Sequence, residues 1–179
     1  MIKTQIKTDV FLLEGIYKNT KILDSLKTKI KERTNRIKIQ NTNVIAKTTD
    51  FNFLRNDLDF VTFIKDIKND TDKVWPYDFI IVDAWGNCYE KNHYAKEHTH
   101  KDTSAFCGIL YLTNNGPGTY FSELNLTVKE KKGKYVLFSP VLKHSVKKCN
   151  LKSQRITLAF NMHECKPWVD YRNQNYTYV

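Results

Sequence analysis

The chain of 179 residues is short of the residues that bend, loosen or cross-link a backbone. It holds six glycines and four prolines, which excludes long flexible or polyproline linkers. Its four cysteines, Cys88, Cys107, Cys149 and Cys165, form no Cys-x-x-Cys pair. That excludes a zinc finger and a dithiol redox motif, and reduced, mostly buried thiols are expected. No run approaches the ~18 apolar residues of a membrane span. The segment MIKTQIKTDVFLLEG starts basic, but its apolar run, Val10 to Leu13, is too short for a signal peptide. A cytoplasmic protein with no membrane partner is the expectation.

Acidic residues are also few. Nineteen Asp+Glu face 29 Lys+Arg, giving a net charge of +10. Residues 1–49 carry 11 basic and 4 acidic side chains, so +7 of that excess sits there. This leaves contact with nucleic acid or another polyanion open. The basic residues are not interleaved with aromatics, and a solvated helix face is the simpler account.

What is present suffices for a sizeable core, with 41% hydrophobic residues and 13% aromatics. The spacing predicts a helix over 15–36, where Ile16, Ile22, Leu23, Leu26 and Ile30 fall near a 3.6-residue period. A second helix is predicted over 56–69, from Leu58, Val61, Ile64 and Ile67, with Asn56 or Asp57 as its cap. Residues 69–72 read as a polar break, and Arg36 to Thr48 as an edge strand. After Trp75-Pro76 the character changes. Tyr77–Ala84, Phe106–Leu112, Tyr135–Phe138 and Ile156–Met162 are short β-branched or aromatic runs that read as strands. Turns are predicted at 114–118 and 131–134. The plan is mainly β with N-terminal helices, in one domain over 1–179. Residues 1–74 are mostly helical, 75–163 form a rolled antiparallel core, and 164–179 form a tail.

Three histidines could carry chemistry. In His98-Thr99-His100 the two imidazoles point the same way on an extended chain, so both can face one ion. His144 follows the Tyr135 strand and could bring a third ligand. His-x-His alone is weak, because a surface strand can carry it by chance. His100-Lys101-Asp102 offers a second pair, imidazole plus carboxylate, as in the facial triad of non-haem Fe(II) enzymes. The strand at Arg155 alternates cleanly. Ile156, Leu158, Phe160 and Met162 share one face, while Arg155, Thr157, Ala159 and Asn161 share the other. The second face is either wet or lines a cavity. In a cavity Arg155 would clamp a carboxylate and Thr157 would add a hydroxyl.

Four stretches carry a family likeness. Tyr94 to His100 is similar to an aromatic-then-HxH segment. Cys107 to Leu112 is similar to an SGVYYL strand. Gly133 to Val146 resembles a G-x-L-V-L-F-P-S-x-x-x-H-x-V block, and Arg155 to Asn161 an R-I-S-I-S-F-N ending. In this order they resemble the 2-oxoglutarate/Fe(II)-dependent oxygenase superfamily, most closely small hydroxylases of marine bacteria and their phages. The likeness covers about residues 77–162. It implies a double-stranded β-helix (jelly-roll, cupin-like) fold and a dioxygenase that uses Fe(II), 2-oxoglutarate and O2. It implies that His144 holds the iron together with either the pair His98–His100 or the pair His100–Asp102, with His98–His100 preferred. It implies that Arg155 binds the far carboxylate of 2-oxoglutarate, with Thr157, Tyr111, Asn87 and Asn161 beside it. The substrate is expected to be a peptidyl (prolyl) residue or a small molecule, and a phage origin would put the protein in the host cytoplasm. Two alternatives stay open: a cupin-type metal enzyme without 2-oxoglutarate, and a non-catalytic barrel that binds partners. The aromatics Trp168, Tyr171, Tyr176 and Tyr178 could pack on the barrel, cover the site or form a homodimer contact.

Overall fold

A computed structural model describes residues 10–37, 40–74, 78–100, 106–114, 116–150, 153–165 and 177–178. Asp102 and the tail aromatics Trp168, Tyr171 and Tyr176 lie outside them. Strand β1 (Leu12–Ile16) is followed by helix α1 (Thr20–Thr34), then β2 (Gln40–Asn41), β3 (Val44–Thr48), α2 (Leu58–Asp66) and α3 (Lys68–Val74). The strands after them are β4 (Phe79–Tyr89), β5 (Tyr94–His98), β6 (Phe106–Tyr111), β7 (Thr119–Phe121), β8 (Leu126–Val128), β9 (Lys134–Phe138), β10 (His144–Val146), β11 (Arg155–Glu164) and β12 (Thr177–Tyr178).

The antiparallel strands run β1-β9-β6-β11-β4-β3-β5-β10-β7-β8, with β12 on β4 and β2 on β3. Strand β3 joins two halves by changing partner along its length. Its Lys47 and Thr48 pair with β4, while Val44 and Ile45 pair with β5. One half is therefore a major sheet centred on β11 and β4, the other a minor sheet of β5, β10, β7 and β8. Residues of both sheets line one cavity between them. This is the rolled jelly-roll architecture expected from the sequence.

Alternation on β11 sorts its side chains as the spacing predicts. Ile156, Leu158, Phe160 and Met162 are all buried, in a cluster with Leu23, Leu26 and Ile30 of α1 and Phe60, Phe63 and Ile64 of α2. The helices thus cover one face of the major sheet with their apolar stripes. Packing is tight there. A Cβ on Gly108 would fall 1.9 Å from the Phe160 ring, so β6 needs glycine where it crosses that side chain. Opposite the helices, Val136, Phe138, Phe121, Val128 and Leu142 form a second cluster behind the cavity.

The N-terminal part departs from expectation. Residues 12–16 are not helical but pair with β9, from Leu12↔Phe138 to Ile16↔Lys134. The Tyr135 ring crosses Gly15 so closely that a Cβ would sit 2.2 Å from it. Helix α1 begins only at Thr20, where the Asn19 side chain accepts the Ile22 N–H. Ile16 is accordingly 45% exposed. The second predicted helix splits into α2, capped by Asp57, and α3, which takes in the supposed break at 69–72. Leu58 in its predicted stripe is 81% exposed. The predicted edge strand is a hairpin, β2–β3, whose second strand is interior. Among the described residues, no helix is long and apolar enough to cross a membrane.

Candidate metal centre and cavity

His98 closes β5 and His144 opens β10, and the two are direct partners across the antiparallel pair. Residues so paired share a face, which sets their ring centroids 4.3 Å apart. His100 lies two residues past His98, as the extended spacing requires. Its backbone N–H donates to the Pro140 carbonyl at 2.9 Å, which ties it to the turn before β10. Its ring is 5.3 Å from each of the other two. One ring nitrogen from each histidine lies within 4.8 Å of the others, so the three could grip a single ion.

The donor chemistry fits a transition metal. His98 Nδ1 is 2.7 Å from the Lys96 carbonyl, and His144 Nδ1 is 3.1 Å from the Leu142 carbonyl. A carbonyl only accepts, so each Nδ1 carries the proton and each Nε2 keeps its lone pair for an ion. Burial, with some repulsion from the neighbouring rings, pushes His144 down to about 3 and His100 down to about 4. Burial likewise holds His98 below the ordinary imidazole range. All three are neutral at pH 7, the state that binds metal. Phe138 packs edge-on to His144 at 4.9 Å, and Trp85 lies 6.4 Å from His100. Three protein ligands would leave positions on the ion for other molecules.

The same cavity is lined by Arg155, Thr157, Asn161 and Asn87. The polar face of β11 is therefore the cavity wall, which settles the alternative left open by periodicity. Arg155 is 1% exposed and is not a free cation, because its Nε donates to Glu130 Oε1. Its guanidinium lies over the Tyr89 ring at 4.5 Å and near Tyr111 at 5.8 Å. Tyr111 does not itself line the cavity. Its hydroxyl donates to Thr119 Oγ1 at 2.8 Å, and Thr119 does. Asn87 accepts from the Thr48 hydroxyl at 3.2 Å. Asn161 Nδ2 donates to Asp83 at 3.2 Å, and its buried Oδ1 has no partner among the described residues. An orphaned acceptor on a cavity wall is matched when a bound molecule brings a donor.

The likeness to solved structures extends over most of the chain. The viral collagen prolyl hydroxylase of Paramecium bursaria Chlorella virus-1, in complex with 2-oxoglutarate, superposes with a TM-score of 0.67 at 15% identity, covering 86% of this chain and 96% of its own. A Pseudomonas putida prolyl-4-hydroxylase gives 0.65 at 12% identity, covering 87% and 93%. The fold is the jelly-roll of the 2-oxoglutarate oxygenases. HygX of Streptomyces hygroscopicus, with nickel, 2-oxoglutarate and hygromycin B bound, gives 0.61 at 11% identity, covering 87% and 82%. No family model and no curated protein matches the chain in sequence.

Glu130, Thr119, Tyr89 and Trp85 were missed in the sequence. Tyr89 and Trp85 share the alternation of Asn87 on β4, which a strand extended past Ala84 reveals. Glu130 sits among Lys129, Lys131 and Lys132, where a solvated charge run is the natural reading.

Proposed function

We propose that the chain is an Fe(II)- and 2-oxoglutarate-dependent dioxygenase that hydroxylates a C–H bond, of the small hydroxylase type found in marine bacteria and phages. The observation that carries this reading is the convergence of His98, His100 and His144 on one point of a cavity whose wall also holds Arg155. The histidines would hold the iron, with His100 as the middle ligand in preference to Asp102. Bound there with 2-oxoglutarate and O2, iron supplies the oxidising chemistry, and succinate and CO2 are the co-products. The protein's part is placement. The Nδ1–carbonyl bonds fix which imidazole nitrogen faces the ion. Arg155 would bind the far carboxylate of 2-oxoglutarate, helped by the Thr157 hydroxyl. Tyr111 braces Thr119 at the cavity wall. Asn87 and Asn161 would complete the polar lining, while Phe138 and Phe121 pack against His144 and Trp85 lies beside His100. A peptidyl, prolyl-type substrate is favoured by the two hydroxylases among the structural neighbours.

Fe(II)-loaded protein given air should release succinate from 2-oxoglutarate, with or without substrate coupling. His144→Ala should abolish the release. No turnover together with no Fe(II) binding would defeat the reading.

One observation favours a second reading. The Arg155 charge is already matched by Glu130, as a metal enzyme with no need of 2-oxoglutarate would allow. Under that reading Arg155→Ala leaves 2-oxoglutarate affinity and activity unchanged.

A further inference from the structure

The Arg155–Glu130 pair is almost wholly shielded from bulk solvent. Both side chains are 1% exposed. Glu130 lies on the segment between β8 and β9, and only its Oε1 is partnered. Oε2 is buried with no hydrogen bond among the described residues. Tyr89 supports the guanidinium from below, and the turn at Gly116 roofs the pair. A Cβ on Gly116 would fall 2.7 Å from Glu130 Oε2 and 2.8 Å from Arg155 Cδ. Arg155 lines the cavity, whereas Glu130 does not.

We propose that Glu130 is a positioning residue: it holds Arg155 by Nε, aims the guanidinium at the cavity, and takes up a proton when a dicarboxylate docks there. This rests on the 2-oxoglutarate reading above. A guanidinium has a second edge to offer when its Nε is taken, so one arginine can serve two carboxylates. Two negative charges on one buried cation then repel, and a buried carboxylate relieves this by protonation. Glu130 is already inclined to do so, because burial raises it above the usual carboxylate range more than Arg155 lowers it.

The groups facing it do not compete for the proton. They are Arg155 from β11, Tyr89 from β4, Tyr111 from β6, and Cys149 from the turn after β10. Burial pushes both phenols and the thiol up, so they stay neutral near pH 7. The balance is one dianion and one proton bound together, with the proton resting on Glu130.

Titration calorimetry of Ni(II)-loaded protein with 2-oxoglutarate tests this, run in two buffers of different ionisation enthalpy between about pH 6 and 8, above the carboxylate range. The wild type should take up close to one proton, and its Kd should tighten up to about tenfold per pH unit of acidification. Glu130→Gln keeps an oxygen for Nε but cannot take the proton, so uptake should vanish and Kd should become flat with pH. Wild-type binding without proton uptake overturns the proposal, and that readout needs no variant to fold. Unchanged uptake in Glu130→Gln also overturns it. Absence of any 2-oxoglutarate binding to the wild type strikes the oxygenase reading itself, and a Kd that is measurable but flat with pH strikes only the role of Glu130.

Discussion

The two faces of the major sheet come from the same strands, one residue apart, and obey different rules. Toward the helices, β11 presents Ile156, Leu158, Phe160 and Met162, each at most 1% exposed and surrounded by apolar side chains. Toward the cavity it presents Arg155, Thr157 and Asn161, also buried, with one ion pair and one orphaned acceptor among them. The first face holds the protein together by apolar burial. The second spends part of that stability on desolvated polar groups, and faces the neutral imidazoles of the minor sheet across the cavity, where a packed core would have hydrocarbon. Costly groups gathered on one face of a sheet that is otherwise well packed mark a working site.

That contrast can be broken or sharpened by experiment. Phe160→Ala should have the largest effect, a loss of about 3–5 kcal/mol in chemical denaturation, because it opens a void against Phe60 and Phe63. Metal affinity of the remaining folded protein should be unchanged. His144→Ala should do the reverse. Wild-type protein should gain about 2.7 kcal/mol from Ni(II) at a hundredfold excess over Kd, and the variant should lose that gain while its metal-free stability holds or improves. If His144→Ala cost as much metal-free stability as Phe160→Ala, the apolar core and the cavity lining would not be different in kind.

Taken per histidine and per pH unit, the pH dependence is smaller. His100 and His144 sit far below the ordinary imidazole value in the folded chain. The unfolded chain therefore binds more protons between about pH 6.5 and 4. Metal-free stability is full above that window and falls as pH drops through it, by up to about 1.4 kcal/mol per pH unit for each histidine. His144→Ala should show a shallower slope in denaturant titrations. The smallest effect belongs to neither face. Asp72→Asn breaks the half-exposed Lys68–Asp72 pair of α3 and should move stability by less than about 0.5 kcal/mol.

Legibility in the sequence followed the same divide. The core face of β11 was readable because alternation over seven residues has a clear period, and α1 because its stripe runs through Leu26 and Ile30. The imidazoles were readable because two lie two apart on an extended chain. Their partnership across β5 and β10 was not, since register is a property of pairing rather than of either segment. Strands β7, β8 and β10 have three residues each, too few to show a period. Helix α3 has the composition of a break, Lys-Asn-Asp-Thr-Asp-Lys, and is held by tertiary contacts instead. The Tyr135 hydroxyl donates to Asp70, and Thr71 is fully buried. Glu130 stayed hidden because nothing in a lysine-rich stretch distinguishes the one charge that turns inward.

The central claim is that His98, His100 and His144 share one ion. X-ray absorption at the nickel edge of Ni(II)-loaded protein tests it most directly, since imidazole rings leave a countable outer scattering pattern. The account predicts three imidazoles on the metal in the wild type and two in His144→Ala. Two imidazoles in the wild type, or no stoichiometric nickel at all, would contradict it.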